Sequence, residues 1–281
     1  MTAQALREVE FTDDDFARIT TLVRSRMGIS LAPTKRPLVY SRLIRRLRAL
    51  GLTGFPAYID LLHSPNGEAE REQLITAVTT NVTAFFRERH HFDQLKSEVL
   101  PPLIARARSG GRVRIWSAAC SSGEEPYSIA SCVHDLCPEA GRLDIRILST
   151  DIDRAILERA ETGLYPIENC AAVPPDLGRK LFSANTQGDQ RSIAPDLRAL
   201  ITFRRLNLIE QWPMRGPFDI IFCRNVVIYF DRDTQETLWS RFLATLPEGG
   251  ALMIGHSERV TGPATPHLVP NGITSYRKQG V

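Results

Sequence analysis

Apolar residues recur at helical intervals up to about Thr80, and no strand-length run interrupts them, so this part reads as a small helical domain. Its first helix carries its own boundary signals. Thr12 suits the N-cap, Asp13, Asp14 and Asp15 suit the positive end of the helix dipole, Arg24 and Arg26 suit the other end, and Gly28 can stop it. A second helix is predicted over residues 37–50, with Leu38, Leu43, Leu47 and Leu50 as its apolar stripe and Arg42, Arg45, Arg46 and Arg48 elsewhere around it. Gly51 and Gly54 end that segment, and two short helices are predicted over 56–62 and 68–78.

From about residue 112 the pattern changes. Strand-length apolar runs (RVRIWSA, LDIRILST, FDIIFCRN, ALMIGHS) alternate with helical stretches that begin near Glu124 and Asp153 and continue through DTQETLWSRFLATL. Runs this apolar, alternating with helices, predict an α/β domain whose mainly parallel sheet is covered on both faces. Between Gly163 and Arg205 the pattern degrades around Pro166, Pro174, Pro175 and Pro195, which predicts an inserted subdomain of short strands or turns.

The chain has 281 residues, enough for two domains with their own cores. Hydrophobic residues make up 43% and charged residues 24%, which excludes collagen-like, coiled-coil and wholly disordered readings. The acidic start, MTAQALREVEFTDDDF, lacks the basic and apolar regions of a secretory leader, and no apolar run spans a bilayer, so a cytoplasmic protein is expected. Cys120, Cys132, Cys137, Cys170 and Cys223 are odd in number and form no CxxC pair, so they read as packed, reduced thiols. Net charge is only +3, yet residues 16–59 hold nine basic residues and no acidic one.

Four segments carry candidate chemistry. RVRIWSAACSSGEEPYSIA is a strand, a small-residue loop and a helix start; Ala118, Ala119, Ser121, Ser122 and Gly123 would let a ligand approach the backbone. It has one glycine, and Glu124 and Glu125 would repel a pyrophosphate, so a dinucleotide is disfavoured. S-adenosylmethionine, with its ammonium and sulfonium, fits better; an ordinary connection with solvated glutamates fits the spacing as well. Asp151, just past the next strand, is placed to accept from ribose hydroxyls, whereas Asp153 suits a helix cap. In FDIIFCRNVVIYF, Arg224, Asn225 and Tyr229 appear where a central strand should reach its carboxyl edge. TTNVTAFFRERHHF sets Asn81, Thr83 and Arg87 beside Phe85 and Phe86, a mixture that suits a ligand lid.

Together TTNVTAFFRERHHF, IWSAACSSGEEPYSIA, STDID, FDIIFCRNVVIYFD and the closing GHSE, in this order, resemble the signature segments of the chemotaxis receptor methyltransferases, the CheR family. The resemblance covers nearly the whole chain and is weakest over residues 166–198. It implies an all-helical N-terminal domain over 1–79 for receptor recognition. A Rossmann-like S-adenosylmethionine-dependent methyltransferase domain over 80–281 would follow, with a β-subdomain inserted at about 163–205. The implied reaction methyl-esterifies glutamate side chains on the cytoplasmic helices of chemoreceptors and releases S-adenosylhomocysteine, without a metal. By motif, Asn81, Thr83, Arg87, Arg224 and Asn225 would contact the cofactor, Glu125 its ammonium and Asp151 its ribose, while Asn207 and Leu208 would border its adenine. Arg87 and Tyr229 would sit near the transferred methyl as catalytic residues. The basic helix 37–50 would dock the glutamate-rich receptor region; nucleic acid is not an expected partner, and a membrane is reached only through the receptor.

The chemistry implied is consistent with what the sequence lacks. A glutamate side chain, with a pKa near 4.3, is already a nucleophilic carboxylate at neutral pH and requires no general base. His90 and His91 are adjacent and belong to no HExxH spacing, no GxSxG elbow occurs, and His256 suits either a turn or the edge of the pocket. Two rival readings share the cofactor: methylation of RNA through the basic domain, and a signalling module that binds the nucleoside without turnover.

Overall fold

The computed structural model describes residues 9–280; the first eight, on which the expectation about a leader partly rests, lie outside them. The chain divides into two compact units, Met1–Thr80 and Asn81–Val281. No described helix is long and apolar enough to cross a membrane.

The first unit holds α1 (Asp13–Met27), α2 (Arg36–Leu50), α3 (Phe55–His63) and α4 (Glu68–Val78). α1 begins in a capping box, in which Asp15 N donates to Thr12 Oγ1 at 3.1 Å and Thr12 N donates to the Asp15 carboxylate at 3.0 Å, and it ends at Gly28 with φ 74°. α2 buries Val39, Leu43, Ile44 and Leu47, whereas the predicted stripe residues Leu38 and Leu50 are 40% and 39% exposed. Leu38 lies five positions before Leu43, which at 3.6 residues per turn rotates it by about 140°.

Two of the α2 arginines turn inward. Arg42 Nη1 donates to the carbonyls of Ala77, Val78 and Thr79 at 3.1, 3.2 and 2.9 Å, satisfying the end of α4. Arg46 grips Glu70 with two hydrogen bonds of 2.9 and 2.7 Å, and the Tyr58 hydroxyl donates to the same carboxylate at 2.9 Å. Only Arg45 and Arg48 of the four remain exposed.

The second unit opens with α5 (His90–Gln94), a π-helical turn (Leu95–Val99) and α6 (Leu100–Arg108). Among the described residues its strands are β1 (Val113–Ala118), β2 (Ile145–Asp151), β3 (Leu164–Pro166), β4 (Phe182–Gln187), β5 (Gln190–Ile193), β6 (Ile201–Arg205), β7 (Ile220–Cys223), β8 (Ala251–Ile254), β9 (Leu268–Pro270) and β10 (Ser275–Lys278). Seven form one sheet in the order β6-β2-β1-β7-β8-β10-β9; the first five are parallel, and β10 runs antiparallel to both its neighbours. This is a Rossmann-like order, in which the chain leaves β1 toward β2 on one side and returns to β7 on the other. α7 (Glu124–Leu136) connects β1 to β2, α8 (Arg154–Thr162) follows β2, and α12 (Arg232–Thr245) connects β7 to β8.

The sheet is apolar on both faces. Ile115, Ile147 and Ile220 align on one face and share a core with Ile129 and Val133 of α7. Trp116 points the other way, where its ring lies 5.3 Å from that of Phe242 in α12. Burial on both sides explains why the strands read as continuous apolar runs.

α9 (Ile167–Cys170), α10 (Pro175–Leu181) and α11 (Pro195–Arg198) lie in the region where the sequence pattern degrades, with a three-stranded antiparallel sheet ordered β3-β5-β4. β6, placed by the sequence inside this insertion, is instead the edge of the main sheet, paired with β2. The five cysteines are free and buried.

Candidate active site

The five parallel strands end at one edge of the sheet, and the candidate residues lie on the segments that leave it. Asp151 is the last residue of β2, not the first beyond it. Its two oxygens accept the backbone N–H groups of Ser121 at 2.8 Å and Asp153 at 3.0 Å, which leaves each oxygen able to accept again. Burial pushes the Asp151 carboxyl up to about 6, against the lowering influence of those N–H groups. Ser121 Oγ also donates to the Asn81 carbonyl at 3.1 Å, and Asn81 Nδ2 donates to Asp153 at 3.0 Å. Asp153 caps α8 through the N–H groups of Ala155 and Ile156, as its position in the sequence predicts.

Leu206 N donates to the Asp151 carbonyl at 2.9 Å, which brings Asn207 and Leu208 alongside. Asn207 closes its own turn onto Glu210 and Ile209. Leu208 is buried, and its carbonyl accepts from Trp212 Nε1 at 3.2 Å and Arg241 Nη1 at 2.7 Å.

The second cluster centres on Arg224, directly after β7 and 7% exposed. Its Nη1 donates to Glu125 at 3.1 Å, its Nη2 lies 3.4 Å from Glu88, and it also donates to the Arg87 carbonyl. Glu125, in the first turn of α7, accepts from Ser117 Oγ at 2.7 Å. Burial raises the Glu125 carboxyl above its ordinary range, with the Arg224 charge the chief opposing influence. Burial would raise Glu88 too, but hydrogen bonds from His256 and the Arg224 charge outweigh it and bring its carboxyl down to about 2. The deeply buried His91 is lowered to about 4, chiefly by burial and then by Arg224, so it is neutral at pH 7. One guanidinium therefore faces two carboxylates, and the His256 ring nitrogen Nδ1 lies 3.0 Å from one of them, Glu88.

Asn225 adopts φ 60°, with its Nδ2 3.4 Å from Glu88. Tyr229 is half-buried on the short 3-10 helix Val227–Tyr229, and its hydroxyl makes no hydrogen bond among the described residues. Arg87 Nη1 donates to the Val82 carbonyl at 2.8 Å, bracing its own segment, and Thr83 is half-buried there. Phe86, Glu88, Ala119, Ser121 and Asn225 all carry positive φ without being glycine, a concentration of strain typical of functional loops.

Gly123 is required by packing: a Cβ there would lie 2.9 Å from both Ala160 Cβ and the Tyr165 hydroxyl. One reading of the sequence requires correction. Glu124 and Glu125 are not solvated; both are buried, with Glu124 accepting from Ser122 Oγ at 2.6 Å. Three contributors escaped sequence reasoning: Ser117, Glu88 and Glu258. One donor atom each of Glu88, His90 and His91 lies within 4.8 Å of the others. Glu88 is already engaged by Arg224 and His256, and the guanidinium beside it opposes a divalent cation there. A separate cavity of about 450 Å³, lined by Tyr127, Arg198, Phe203 and Arg204 among others, contains none of the predicted site residues.

Two family models match the chain: the CheR methyltransferase all-alpha domain over residues 14–79 and the CheR methyltransferase SAM binding domain over residues 81–271. A probable chemotaxis protein methyltransferase of Rhizobium etli is 52% identical over 91% of this chain and 96% of that protein. Chemotaxis protein methyltransferases of Klebsiella aerogenes and Escherichia coli are each 44% identical, over 91% of this chain and 87% of theirs. With both domain models matched in order and the buried acid–guanidinium cluster at the edge where such a sheet takes its ligand, the chain belongs to the CheR family of S-adenosylmethionine-dependent chemotaxis methyltransferases.

Proposed function

We propose that this protein transfers a methyl group from S-adenosylmethionine to glutamate side-chain carboxylates of chemoreceptors, forming methyl esters in adaptation to a stimulus. The observation that carries the reading is the pair of carboxylates, Glu125 and Glu88, gathered on the buried Arg224 at the carboxyl edge of the sheet. That site suits a ligand with an ammonium and a carboxylate, and Asp151, with one acceptor direction open on each oxygen, suits a vicinal diol. The residues present therefore fit S-adenosylmethionine. When bound, it supplies a methyl group on a positively charged sulfur.

The protein's own residues divide the work. Glu125 binds the ammonium, Arg224 the carboxylate and Asp151 the ribose. Asn207 and Leu208 border the adenine, and Asn81, Thr83, Arg87 and Asn225 complete the cradle. The acceptor glutamate arrives as a carboxylate, so no base and no metal is needed. Desolvation and in-line alignment supply most of the acceleration, and good alignment alone is worth ~7–11 kcal/mol. Tyr229 orients the acceptor oxygen through its phenol. A tight ion pair from Arg87 would lower the nucleophilicity of that oxygen, and its Nη1 is already engaged by Val82, so Arg87 holds the segment rather than the acceptor.

In this reading residues 1–79 recognise the receptor and 80–281 carry out the transfer in the cytoplasm. With Arg42 and Arg46 committed inside the helical unit, Arg45 and Arg48 on the exposed side of α2 supply the charge that attracts a glutamate-rich receptor helix. The test is incubation with methyl-labelled cofactor and receptor-bearing membranes. Label bound to receptor and released as methanol by mild alkali is expected. Alkali-stable label, label on RNA, or cofactor binding without transfer would each contradict the proposal.

A further inference from the structure

Glu258 lies just after β8 and is 7% exposed. Its carboxylate accepts four backbone N–H groups. One oxygen takes those of Gly255 at 2.6 Å and Asn225 at 3.0 Å, and the other takes those of Val226 at 2.8 Å and Val227 at 2.9 Å. Three of the four donors belong to the turn that leaves β7 and leads into the 3-10 helix carrying Tyr229.

The geometry points to Glu258 as a positioning residue for methyl transfer. By clamping this turn to the loop after β8, one buried carboxylate fixes Asn225 at the cofactor and Tyr229 at the acceptor together. The inference rests on the roles proposed above for those two residues. A carboxylate suits the task because both its oxygens accept; the NH₂ of a glutamine would face two N–H donors instead. Those donors, buried and unpaired, would release the turn from its present geometry.

Gly255 gives an independent sign that the clamp is tight. A Cβ at this position would lie 2.5 Å from Asn225 Nδ2, 2.7 Å from Asn225 N and 2.9 Å from Glu258 Oε2. The two loops approach too closely for any larger residue. Glu88 ties the same loops a second time, accepting from Asn225 Nδ2 at 3.4 Å and from His256 N at 3.3 Å.

The test compares the full-length protein with Glu258→Gln and with Gly255→Ala, which strikes the same clamp from the other side and serves if the first variant fails to fold. Hydrogen exchange over residues 224–230, turnover with receptor, and S-adenosylhomocysteine affinity are measured together. Exchange in that segment should accelerate at least about tenfold while the rest of the unit is unchanged. Turnover should fall by ~10–100-fold, since about 1 Å of misplacement can cost ~100-fold, with a much smaller loss of affinity. Adding Tyr229→Phe to Glu258→Gln should cost little further turnover, because the phenol is already misplaced. Unchanged exchange in the segment, or faster exchange with normal turnover, would overturn the inference alone. Normal turnover in both Tyr229→Phe and Asn225→Ala would overturn the underlying site assignment and this inference with it.

Discussion

Each unit of this chain sets an arginine against a buried carboxylate, and the two arrangements are built to different ends. In the helical unit Arg46 meets Glu70 through two parallel hydrogen bonds, Tyr58 adds a third, and one cation balances one anion. In the second unit Arg224 meets both Glu125 and Glu88, the neutral ring of His91 adds no charge, and the His256 ring lies 3.0 Å from Glu88. One arginine closing on one buried carboxylate is a brace. Two carboxylates on one arginine at the carboxyl edge of a parallel sheet suit, in the function proposed above, a ligand that brings an ammonium of its own.

The comparison predicts that damage separates by unit. Removing the acceptor in Glu70→Ala leaves the buried Tyr58 hydroxyl unpaired and frees the partly exposed Arg46, and should destabilise the helical unit by about 2 kcal/mol in denaturant unfolding. Its cofactor affinity by calorimetry should be unchanged. A loss of affinity instead would show that the brace also serves the site. On the other side of the comparison, Tyr229→Phe should lower turnover by about tenfold, ~1.4 kcal/mol, while S-adenosylhomocysteine binds as before; equal turnover would remove the phenol from the mechanism.

Protonation sharpens the same distinction. The Asp151 carboxyl sits at about 6 in the fold, above its free value near 3.9, so its contribution to stability is present below pH ~4 and lost as pH rises through 6. A diol donating to both oxygens favours the ionised form and restores that loss. Affinity for S-adenosylhomocysteine should therefore weaken as pH falls from 7 through 6, and Asp151→Asn should flatten that limb. The smallest effect belongs to the exposed charges. Arg45→Glu with Arg48→Glu should raise the receptor KM a few-fold, more at low salt, with cofactor affinity untouched. Equal loss of both would mean that the substitutions disturb the fold.

What was legible in the sequence follows from how local each cause is. β1, β2, β7 and β8 announced themselves because burial on both faces writes an unbroken apolar run. β9 and β10 did not, since they are short, end at Pro270 or alternate with polar residues, and are held by pairing with each other and β8. Asp151, Arg224 and Asn225 stood out because polar residues interrupt a buried strand at its end. Glu258 did not, because its carboxylate reaches back more than thirty residues to the β7 turn, and no periodicity records such a reach. Arg42 and Arg46 read as part of the basic helix that would dock a receptor, although their i, i+4 spacing beside Leu43 and Leu47 places them at the rim of the apolar stripe.

Calorimetry on the wild type and on Glu125→Gln, with two ligands, tests the role proposed for this cluster most directly: S-adenosylhomocysteine, and 5′-methylthioadenosine, which lacks the amino-acid end. A contact between Glu125 and the ammonium predicts that Glu125→Gln weakens the first by about 2 kcal/mol, roughly 30-fold, and leaves the second unchanged. Equal weakening of both ligands, or no weakening of either, would contradict it.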